Sequence, residues 1–203
     1  MRDNNAVISH YAALIGEGND PVHDPKPLRD YMDKWDGQAF IDSMELNGNK
    51  SVLEIGVGTG RLAVRVAPLC GGFCGIDLSL KTIERARENL ANFNNVALVC
   101  GDFLTYPFSS TFDVIYSSLT FMHIRKKEMA IKKVVDLLKD GGRFVLSIDK
   151  NQSEFIDMSS RKVKIYPDAP TETEKALQSS GLSVENQSET EFAVIFNVVK
   201  EKR

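Results

Sequence analysis

The sequence predicts an α/β protein with a mostly parallel sheet, helices on both faces, and an antiparallel strand pair at its C-terminal end. One observation behind this prediction is the alternation of short apolar runs with helical patterns over residues 51–148. Runs that are apolar at nearly every position are typical of parallel strands covered on both faces. The other is that two strand-like segments near the C-terminus have almost no helix between them. A connection that short makes neighbouring strands antiparallel.

Five apolar runs are predicted to form the parallel strands: 52–55, 72–77, 95–100, 112–118 and 143–148. After the second run, Leu80, Ile83 and Leu90 recur at helical spacing, and Ser79 is a suitable cap for that helix. The later segment "KKEMAIKKVVDLLKDGG" repeats apolar residues on one face, and we expect its helix to end at Gly141. The helices between the strands supply the crossovers that parallel strands need.

The two C-terminal segments differ in polarity. "LSVENQSE" (182–189) alternates apolar and polar residues and then becomes polar, as a strand with water on one side does. "FAVIFNVV" (192–199) is apolar at nearly every position, as a strand covered on both faces is. We therefore expect the last strand to lie inside the sheet and the penultimate strand to form its edge.

Two segments fall outside the alternating core. Residues 1–50 contain helical patterns around 5–15 and 27–45, separated by the loop "GEGNDPVHDPKP". Residues 149–170 form a polar connection that is long for a compact domain, and "EFIDMSSRKVKIY" within it is expected to form a small hairpin. Both segments should lie over the carboxyl ends of the strands, where open α/β sheets bind ligands. The predicted single domain, 1–203, thus has an N-terminal helical cap (1–50), a ligand-binding core (51–148), a lid (149–170) and a C-terminal helix with the antiparallel strands (171–203).

Composition and charge argue against several classes of protein. The chain is 42% hydrophobic and 26% charged with a formal net charge of -3, so no basic field attracts nucleic acid or an anionic membrane. The opening "MRDNNAVISHYAAL" lacks the apolar core of a signal peptide, and no apolar run is long enough to span a bilayer. Cys70 and Cys74 have no second cysteine pair or histidine cluster at zinc spacing. We expect a cytoplasmic protein with no metal site, no nucleic-acid partner and no membrane partner.

The stretch "SVLEIGVGTGRLAVRVAP" (51–68) joins an apolar run to three glycines at alternate positions and then to a helical pattern. Glycines in such a turn allow positive φ and let a ligand approach the backbone, and a helix start favours an anion. Two interpretations are open at this point. Read from Gly58, "GTGRLA" matches a dinucleotide fingerprint, with Asp77 about twenty residues further on. Read from Glu54, "EIGVGTG" places an acidic residue within the strand before the glycines.

Five segments in a defined order separate these interpretations. "VLEIGVGTG", "GIDLS", "GDFLTYPF", "FDVIYSSLTFMHI" and "LLKDGGRFVLSI", between Ser51 and Ile148, together resemble the class I S-adenosylmethionine-dependent methyltransferases. The glycine motif alone is generic, whereas the ordered set is specific. The closing antiparallel pair matches the Rossmann-like, seven-stranded sheet of that family. The resemblance implies S-adenosyl-L-methionine as cofactor and transfer of its methyl group.

The resemblance also implies roles for individual residues. The glycine turn, with Glu54 beneath it, would hold the methionine moiety, and Asp77 would accept hydrogen bonds from both ribose hydroxyls. Leu78 would flank the adenine, Asp102 would accept from its amino group, and Phe103 would supply a backbone N–H and an apolar wall. The two serines that end the fourth strand would face the sulfonium. The implied cofactor set is Glu54, Gly56, Val57, Gly58, Gly60, Asp77, Leu78, Asp102, Phe103, Ser117 and Ser118.

Candidate residues for the acceptor side follow from the chemistry. An activated methyl donor needs mainly alignment and a dry site, so a base is required only when the acceptor must lose a proton. His123, near the end of the fourth strand, is the candidate base. His10 and Tyr11 in the first helix, and Trp35, are candidate acceptor-site residues. For all four side chains, packing within the fold is the alternative role.

Elimination favours a small-molecule acceptor. The chain lacks the Asp/Asn-Pro-Pro-aromatic motif of enzymes that methylate exocyclic amines or glutamine, a Pro-Cys pair, and an evident carboxylate cluster for magnesium. We therefore predict an enzyme that methylates an unidentified small molecule, with specificity set by residues 1–50 and 149–170. Two alternatives remain: a non-catalytic sensor or partner subunit that binds S-adenosylmethionine, and an NAD-dependent oxidoreductase that uses "GTGRLA".

Overall fold

A seven-stranded sheet forms the centre of the structure, together with a separate two-stranded hairpin. The computed structural model describes residues 2–158 and 161–202. Every apolar run predicted to be a strand forms one, although the fifth strand begins earlier than expected. The strands are β1 (Ser51–Ile55), β2 (Gly72–Asp77), β3 (Val96–Cys100), β4 (Phe112–Ser118), β5 (Leu138–Asp149), β6 (Phe155–Met158), β7 (Arg161–Lys164), β8 (Leu182–Glu189) and β9 (Ala193–Lys200).

The strand order confirms the predicted architecture. Across the sheet the order is β3-β2-β1-β4-β5-β9-β8. The first five strands are mutually parallel, and β9 runs antiparallel to both of its neighbours, β5 and β8. The last strand of the chain therefore lies inside the sheet, and β8 is its edge. Burial follows the same division, because β9 is buried from Ala193 to Val198 whereas β8 is largely exposed after Leu182.

Helices cover both faces of this sheet. They are α1 (Arg2–Gly16), α2 (Lys26–Met32), α3 (Gly37–Asp42), α4 (Ala63–Val66), α5 (Leu80–Asn89), α6 (Lys127–Leu137) and α7 (Pro170–Ser179), with 3₁₀ turns at Ala67–Leu69 and Phe121–His123. Successive residues of β1 point to opposite faces, and Val52 and Leu53 accordingly belong to two different buried apolar clusters. As predicted, Ser79 caps α5, since its hydroxyl accepts the Thr82 N–H.

The helix predicted over residues 27–45 is instead two helices, α2 and α3. The chain breaks between them because Gly37 has a φ of +71°, which an L side chain rarely adopts. Asp36 caps α3 by accepting the Gly37 N–H at 2.7 Å. Trp35 lies in the turn between the two helices. This break could not be predicted from the apolar spacing, because the spacing on either side of it is compatible with one continuous helix.

The helix predicted to end at Gly141 ends earlier, at Leu137. Leu138 takes an extended conformation and begins β5 by pairing with Phe112 of β4. Gly141 has a φ of +74° and lies within β5 at an irregularity in the pairing of β4 and β5. Cross-strand pairing thus overrides a helix-stop signal in the sequence, as tertiary contacts commonly do.

The N-terminal helices and the hairpin contact each other, and the N-terminal helices lie at the carboxyl ends of the parallel strands. The predicted hairpin forms from β6 and β7, and α1 packs against α5 and β7. Residues of α1 and α2 line the same cavity as the carboxyl ends of β1, β2 and β4. Among residues 2–158 and 161–202, no helix has the length and apolar character needed to cross a bilayer.

Candidate functional site

A cavity of about 870 Å³ opens at the carboxyl ends of the parallel strands. Ligand pockets in proteins typically occupy about 300–1,000 Å³, so this volume is near the upper end of that range. One wall is made by the strand ends and the loops after them, with residues from 54–62, 76–78, 101–105 and 118–120. The opposite wall is made by α1, α2 and the segment that precedes and begins α6.

The glycine turn presents bare backbone to this cavity. Gly58 has a φ of +57°, and a Cβ built there meets no atom within 4 Å, so it would project into open space. Gly56 has a φ of +79°, and a Cβ there would collide with the Thr120 side chain at 2.0 Å. Gly56 is therefore required by packing, whereas Gly58 leaves room for a ligand. The helix that follows, α4, has only four residues, so the turn itself supplies the backbone N–H groups at this point.

Asp77 ends β2 with its carboxylate on the cavity wall. The carboxylate accepts the Gly58 N–H at 3.1 Å and the Ser79 N–H at 2.9 Å. Burial raises the pKa of Asp77, and the backbone donors oppose that effect. Thr82, on the same wall, has a buried hydroxyl with no hydrogen-bond partner in the described part of the chain. These two side chains offer a ligand a carboxylate held by the backbone and an unpaired hydroxyl.

Asp102 is already bonded to the N-terminal helix. Its Oδ2 accepts a hydrogen bond from Asn4 Nδ2 at 2.9 Å, and its Oδ1 accepts the Leu104 N–H at 2.8 Å. Asp102, Phe103 and Leu78 all lie on the cavity wall. The cap therefore contacts the Asp102 carboxylate, which the family resemblance implies as the hydrogen-bond acceptor for the adenine amino group.

Glu54 is a buried acid beneath the glycine turn. The Tyr116 hydroxyl donates to its Oε2 at 2.8 Å. Burial raises the pKa of Glu54 to about 8, an effect opposed in part by the Tyr116 hydrogen bond and by the positive charge of Arg61. This carboxyl group is therefore largely protonated near pH 7 unless a cation is brought close to it.

A network that the sequence analysis did not anticipate joins the cap to the glycine turn. Arg61 directly follows Gly60 and lies on the cavity wall. Its Nη1 donates to Asp36 Oδ1 at 2.9 Å and its Nη2 donates to Asp36 Oδ2. The Ser118 hydroxyl donates to the same Oδ2 at 2.7 Å. Asp36 is buried, and these hydrogen bonds hold its carboxylate in the position in which it caps α3.

His123 and Tyr11 meet at the cavity wall from elements far apart in the chain. The Tyr11 hydroxyl lies 2.9 Å from His123 Nε2, and the two rings pack edge to face with centroids 5.5 Å apart. Burial lowers the pKa of His123 to about 4, with smaller contributions from His10 and Lys127. Burial also raises the pKa of Tyr11 far above its usual value. Both groups are therefore neutral around pH 7.

Several residues predicted for the site do not line the cavity. The backbone of Gly60 lies against Leu90. A Cβ added at Gly60 would come within 3.3 Å of the Leu90 side chain. Ser117 is buried, and its hydroxyl donates to the Ile55 carbonyl at 3.0 Å. The other predicted members of the cofactor set do line it: Glu54, Gly56, Val57, Gly58, Asp77, Leu78, Asp102, Phe103 and Ser118.

Two of the three candidate acceptor-site residues also lie off the wall. His10 is buried and packs edge to face on Tyr11 with centroids 5.1 Å apart. Trp35 donates its indole N–H to Asp149 Oδ2 at 2.9 Å and packs against Phe192. Tyr11 is the one of these three that faces the cavity.

The sequence interpretation did not single out Asn4, Arg61 and Thr82, which line the cavity, or Asp36, which pairs with Arg61. Weak signals existed for two of them, because Arg61 adjoins the glycine turn and Thr82 lies in the first turn of the helix after Asp77. Within the described ranges, no group of three or more His, Cys, Asp or Glu side chains is arranged to hold a metal ion.

Comparison with known proteins identifies similar sequences. A family model described as a methyltransferase domain matches residues 52–142. An "Uncharacterized methyltransferase" of Anoxybacillus flavithermus (strain DSM 21510 / WK1) is 28% identical over 189 residues, which cover 84% of this chain and 88% of that protein. Other curated relatives match over 53% to 58% of this chain and over 23% to 66% of their own length.

Solved structures share the fold. Magnesium protoporphyrin IX methyltransferase (ChlM) from Synechocystis PCC 6803, with bound SAM, superposes with a TM-score of 0.74 at 18% identity, covering 98% of this chain and 97% of that one. The [4+2]-cyclase SpnF superposes with a TM-score of 0.76 at 14% identity, with the same coverage. At these identities the similarity concerns the fold.

Proposed function

The chain belongs to the class I S-adenosylmethionine-dependent methyltransferases, and on that premise we propose that it methylates a small molecule bound beneath the N-terminal cap. The observation that carries this proposal is the continuity of the cavity. One wall holds the residues expected for the cofactor, and the facing wall is made by the cap. A cavity of about 870 Å³ suits a cofactor and a small acceptor together.

The residues on the first wall fit S-adenosylmethionine. The bare backbone at Gly58 leaves space that a Cβ would fill, which suits the approach of the methionine moiety. The Asp77 carboxylate suits two ribose hydroxyls, and the unpaired Thr82 hydroxyl offers a further hydrogen bond on that side. When bound, the cofactor supplies an electrophilic methyl group on a sulfonium.

The other cofactor residues have proposed roles that follow the family resemblance. Gly56, Val57 and Gly58 would line the methionine moiety, while Gly60 shapes the turn from behind the wall. Leu78, Asp102 and Phe103 would surround the adenine. Ser118 would face the reacting centre, whereas the buried Ser117 would support the end of β4. Glu54, beneath the turn, would respond to the positive charge of the cofactor by ionising.

We assign the acceptor to the cap side of the cavity. Tyr11 and His123 are two polar residues on that side of the cavity, and His123 is the proposed base. His10 and Trp35 would act only indirectly. His10 would support Tyr11 by packing against it, and Trp35 would support the cap by packing within it. Residues 1–50 would close the site from above, and residues 149–170 would form a lid at its side. Closure of this kind excludes water, which methyl transfer requires.

The test of this function is the selectivity of cofactor binding. S-adenosylhomocysteine should bind by titration calorimetry, and at about 100 times its dissociation constant it should stabilise the fold by about 2.7 kcal/mol in a melting scan. NADH and NADPH serve as comparators and should give no shift. Binding of a nicotinamide alone would overturn the proposal in favour of an oxidoreductase.

A substitution at Asp77 tests the ribose assignment. Asp77→Ala removes two charge-assisted hydrogen bonds, each worth about 1.5–3 kcal/mol, so we expect affinity for S-adenosylhomocysteine to fall at least about 100-fold. Asp30→Ala, at an exposed position of α2, is the matched control and should bind as the wild type does. Wild-type affinity in a folded Asp77→Ala protein, with folding checked by circular dichroism, would disprove this assignment.

A further inference from the structure

The cap side of the cavity is an apolar surface. We use "cap wall" for the part of the cavity surface formed by α1, α2 and residues 122–129. Most of its side chains are aliphatic or thioether groups, among them Leu14, Ile15, Leu28, Met32, Met122 and Met129. Methionine side chains adapt to irregular shapes. The cap wall is therefore suited to an apolar body whose outline it can follow.

Exposure of apolar groups is concentrated at this wall. Leu28, Tyr31 and Met129 are 50%, 48% and 52% exposed, and they make up half of the six large apolar side chains that are exposed in the described residues. All three line the cavity. Apolar side chains that converge in this way mark a binding surface rather than scattered surface residues. The ligand that covers them extends from the interior of the cavity to its rim.

A neutral hydrogen-bonding pair lies on the same surface. The Tyr11 hydroxyl and His123 Nε2 are 2.9 Å apart, and both residues line the cavity. His10, from α1, packs on the other side of the Tyr11 ring. The pair thus places one phenol oxygen and one imidazole in hydrogen-bond contact at the cavity wall.

Neither member of this pair carries a charge that would attract a cationic acceptor near pH 7. Lys127 at the start of α6 adds a smaller lowering effect to that of burial on the pKa of His123, and its own charge is paired with Asp168 at 2.7 Å. Asp77 of β2 acts on Tyr11 with the opposite sign, but its carboxylate is assigned to the ribose. An ammonium group beside the pair would add a further positive charge to that of the sulfonium.

At the rim, charges of both signs lie apart from the pair. Arg125 and Lys126 are exposed, and Asp24 is half-buried. Solvated groups of this kind contribute little to binding compared with buried ones. They leave the interior of the cap wall uncharged.

We infer that the acceptor is an uncharged, largely apolar molecule whose methyl-accepting atom is a hydroxyl oxygen hydrogen-bonded to Tyr11. This inference rests on the proposed function. The acceptor oxygen forms a bond to the methyl carbon as the carbon–sulfur bond breaks, and that electron pair remains on sulfur. The acceptor proton moves to the Tyr11 oxygen while the Tyr11 proton moves to His123 Nε2, in the tautomer with hydrogen on Nδ1. The products are a methyl ether and S-adenosylhomocysteine.

Charge is conserved within the closed site during this step. A positive sulfonium is lost as a positive imidazolium forms, so the site does not have to create a new charge. Tyr11 regains a proton as it gives one up and never carries a negative charge. The His123 proton passes to solvent when the site opens. Tyr11 therefore contacts the acceptor directly, and His123 receives the proton through it.

The first test is binding of matched probes to the protein saturated with S-adenosylhomocysteine. The probes are 2-naphthol, 2-methylnaphthalene and 2-naphthylmethylamine, the last of which is a cation at pH 7.5, and their dissociation constants are measured by fluorescence titration. We expect 2-naphthol to bind at least about tenfold more tightly than either of the other two. Equal or tighter binding of the amine, or no binding of any probe, would overturn the inference. Absence of S-adenosylhomocysteine binding would instead contradict the proposed function.

The second test compares variants by a ratio of affinities. In Tyr11→Phe the ratio between 2-naphthol and 2-methylnaphthalene should fall to about 1, because the hydroxyl loses its partner while the apolar wall stays. Tyr106→Phe, which alters a tyrosine outside the cavity, should keep the wild-type ratio. A wild-type ratio in Tyr11→Phe would overturn the role of Tyr11. If Tyr11→Phe does not fold, the three-probe comparison on the wild-type protein still decides the acceptor class.

Discussion

Two carboxyl groups on neighbouring strands, the half-buried Asp77 and the buried Glu54, differ in their hydrogen bonds to the backbone. Asp77 accepts two backbone N–H groups, which favour its charged form. Glu54 receives one phenol hydroxyl and is otherwise desolvated, so burial raises its pKa to about 8. The same residue class thus gives a carboxylate held by backbone N–H groups at one position and an acid beneath the glycine turn at the other.

The raised pKa of Glu54 predicts a specific pH dependence of stability. Between its ordinary value of 4.5 and about 8, the folded state holds a proton that the unfolded state has lost. The free energy of unfolding of the wild type should therefore decrease with rising pH, relative to Glu54→Gln, by about 1.4 kcal/mol per pH unit across that interval. Urea unfolding at pH 5.5 and 7.5 measures the difference.

Glu172→Gln is the control for this measurement. Glu172 is exposed on α7, and its substitution should leave the pH profile parallel to that of the wild type. A parallel profile for Glu54→Gln as well would mean that Glu54 is ionised throughout the interval.

At the scale of single elements, α1 is the part of the cap most directly engaged with the site. Asn4 and Tyr11 are seven residues apart in the sequence and so lie on one helical face. Asn4 bonds Asp102 and Tyr11 bonds His123. The helix therefore contacts two of the groups that are proposed to bind the cofactor and the acceptor.

Removal of the Asn4 amide should make the cofactor site easier to enter. In Asn4→Ala the bond to Asp102 is lost, which frees a carboxylate for adenine and loosens the start of α1. We expect faster association of S-adenosylhomocysteine in stopped-flow measurements. Asn5→Ala is the matched control, because Asn5 is an exposed neighbour in the same helix. Equal association rates in the two variants would show that α1 does not limit entry.

The hairpin segment is anchored to the loop that carries His123. The Tyr166 N–H donates to the Met122 carbonyl at 2.7 Å, and Lys127 Nζ lies 2.7 Å from Asp168 Oδ1. On its other side, Arg161 pairs with Glu17 after α1. If residues 149–170 are a lid, these contacts define its closed position.

Hydrogen exchange tests the lid. Backbone amides of residues 161–166 should exchange faster than those of β1 and β4 in the free protein, and more slowly once S-adenosylhomocysteine and an acceptor analogue are bound. The central strands are the internal control and should stay protected in both states. Protection of the hairpin equal to that of the strands, with and without ligand, would contradict a lid.

At the scale of the whole molecule, stability depends on the sheet and its two buried faces. β9 is inserted between β5 and the edge strand β8, so the last strand of the chain completes the core. Phe196, on β9, is fully buried. Its register partner on the edge strand, Gln187, is exposed.

These two positions form a matched pair for testing the interior location of β9. Phe196→Ala should lower the free energy of unfolding by about 3–5 kcal/mol, because it deletes a buried aromatic ring. Gln187→Ala should change it by less than about 0.5 kcal/mol. Urea denaturation measures both, and similar small effects would be incompatible with an interior β9.

Much of the sheet could be predicted because burial on two faces leaves a local signature. A strand covered on both sides is apolar throughout, as 192–199 is, and a half-exposed strand such as 182–189 is not. Helix boundaries were less predictable. The end of α6 at Leu137 depends on the pairing of Leu138 with Phe112 of a distant strand, and the Asp36 carboxylate at the break before Gly37 is held in place by the distant Arg61.

By itself, the sequence determined the class of fold, the glycine turn and the acidic residues that end the strands, because these follow from local periodicity and from ordered motifs. Only the tertiary structure decided which side chains share the cavity. Tyr11 meets His123, Asn4 meets Asp102 and Asp36 meets Arg61, whereas Trp35 and His10 lie off the wall. The physical reason is that these contacts join residues far apart in the chain. Which of them meet is set by how the cap packs over the strand ends, and no local pattern encodes that packing.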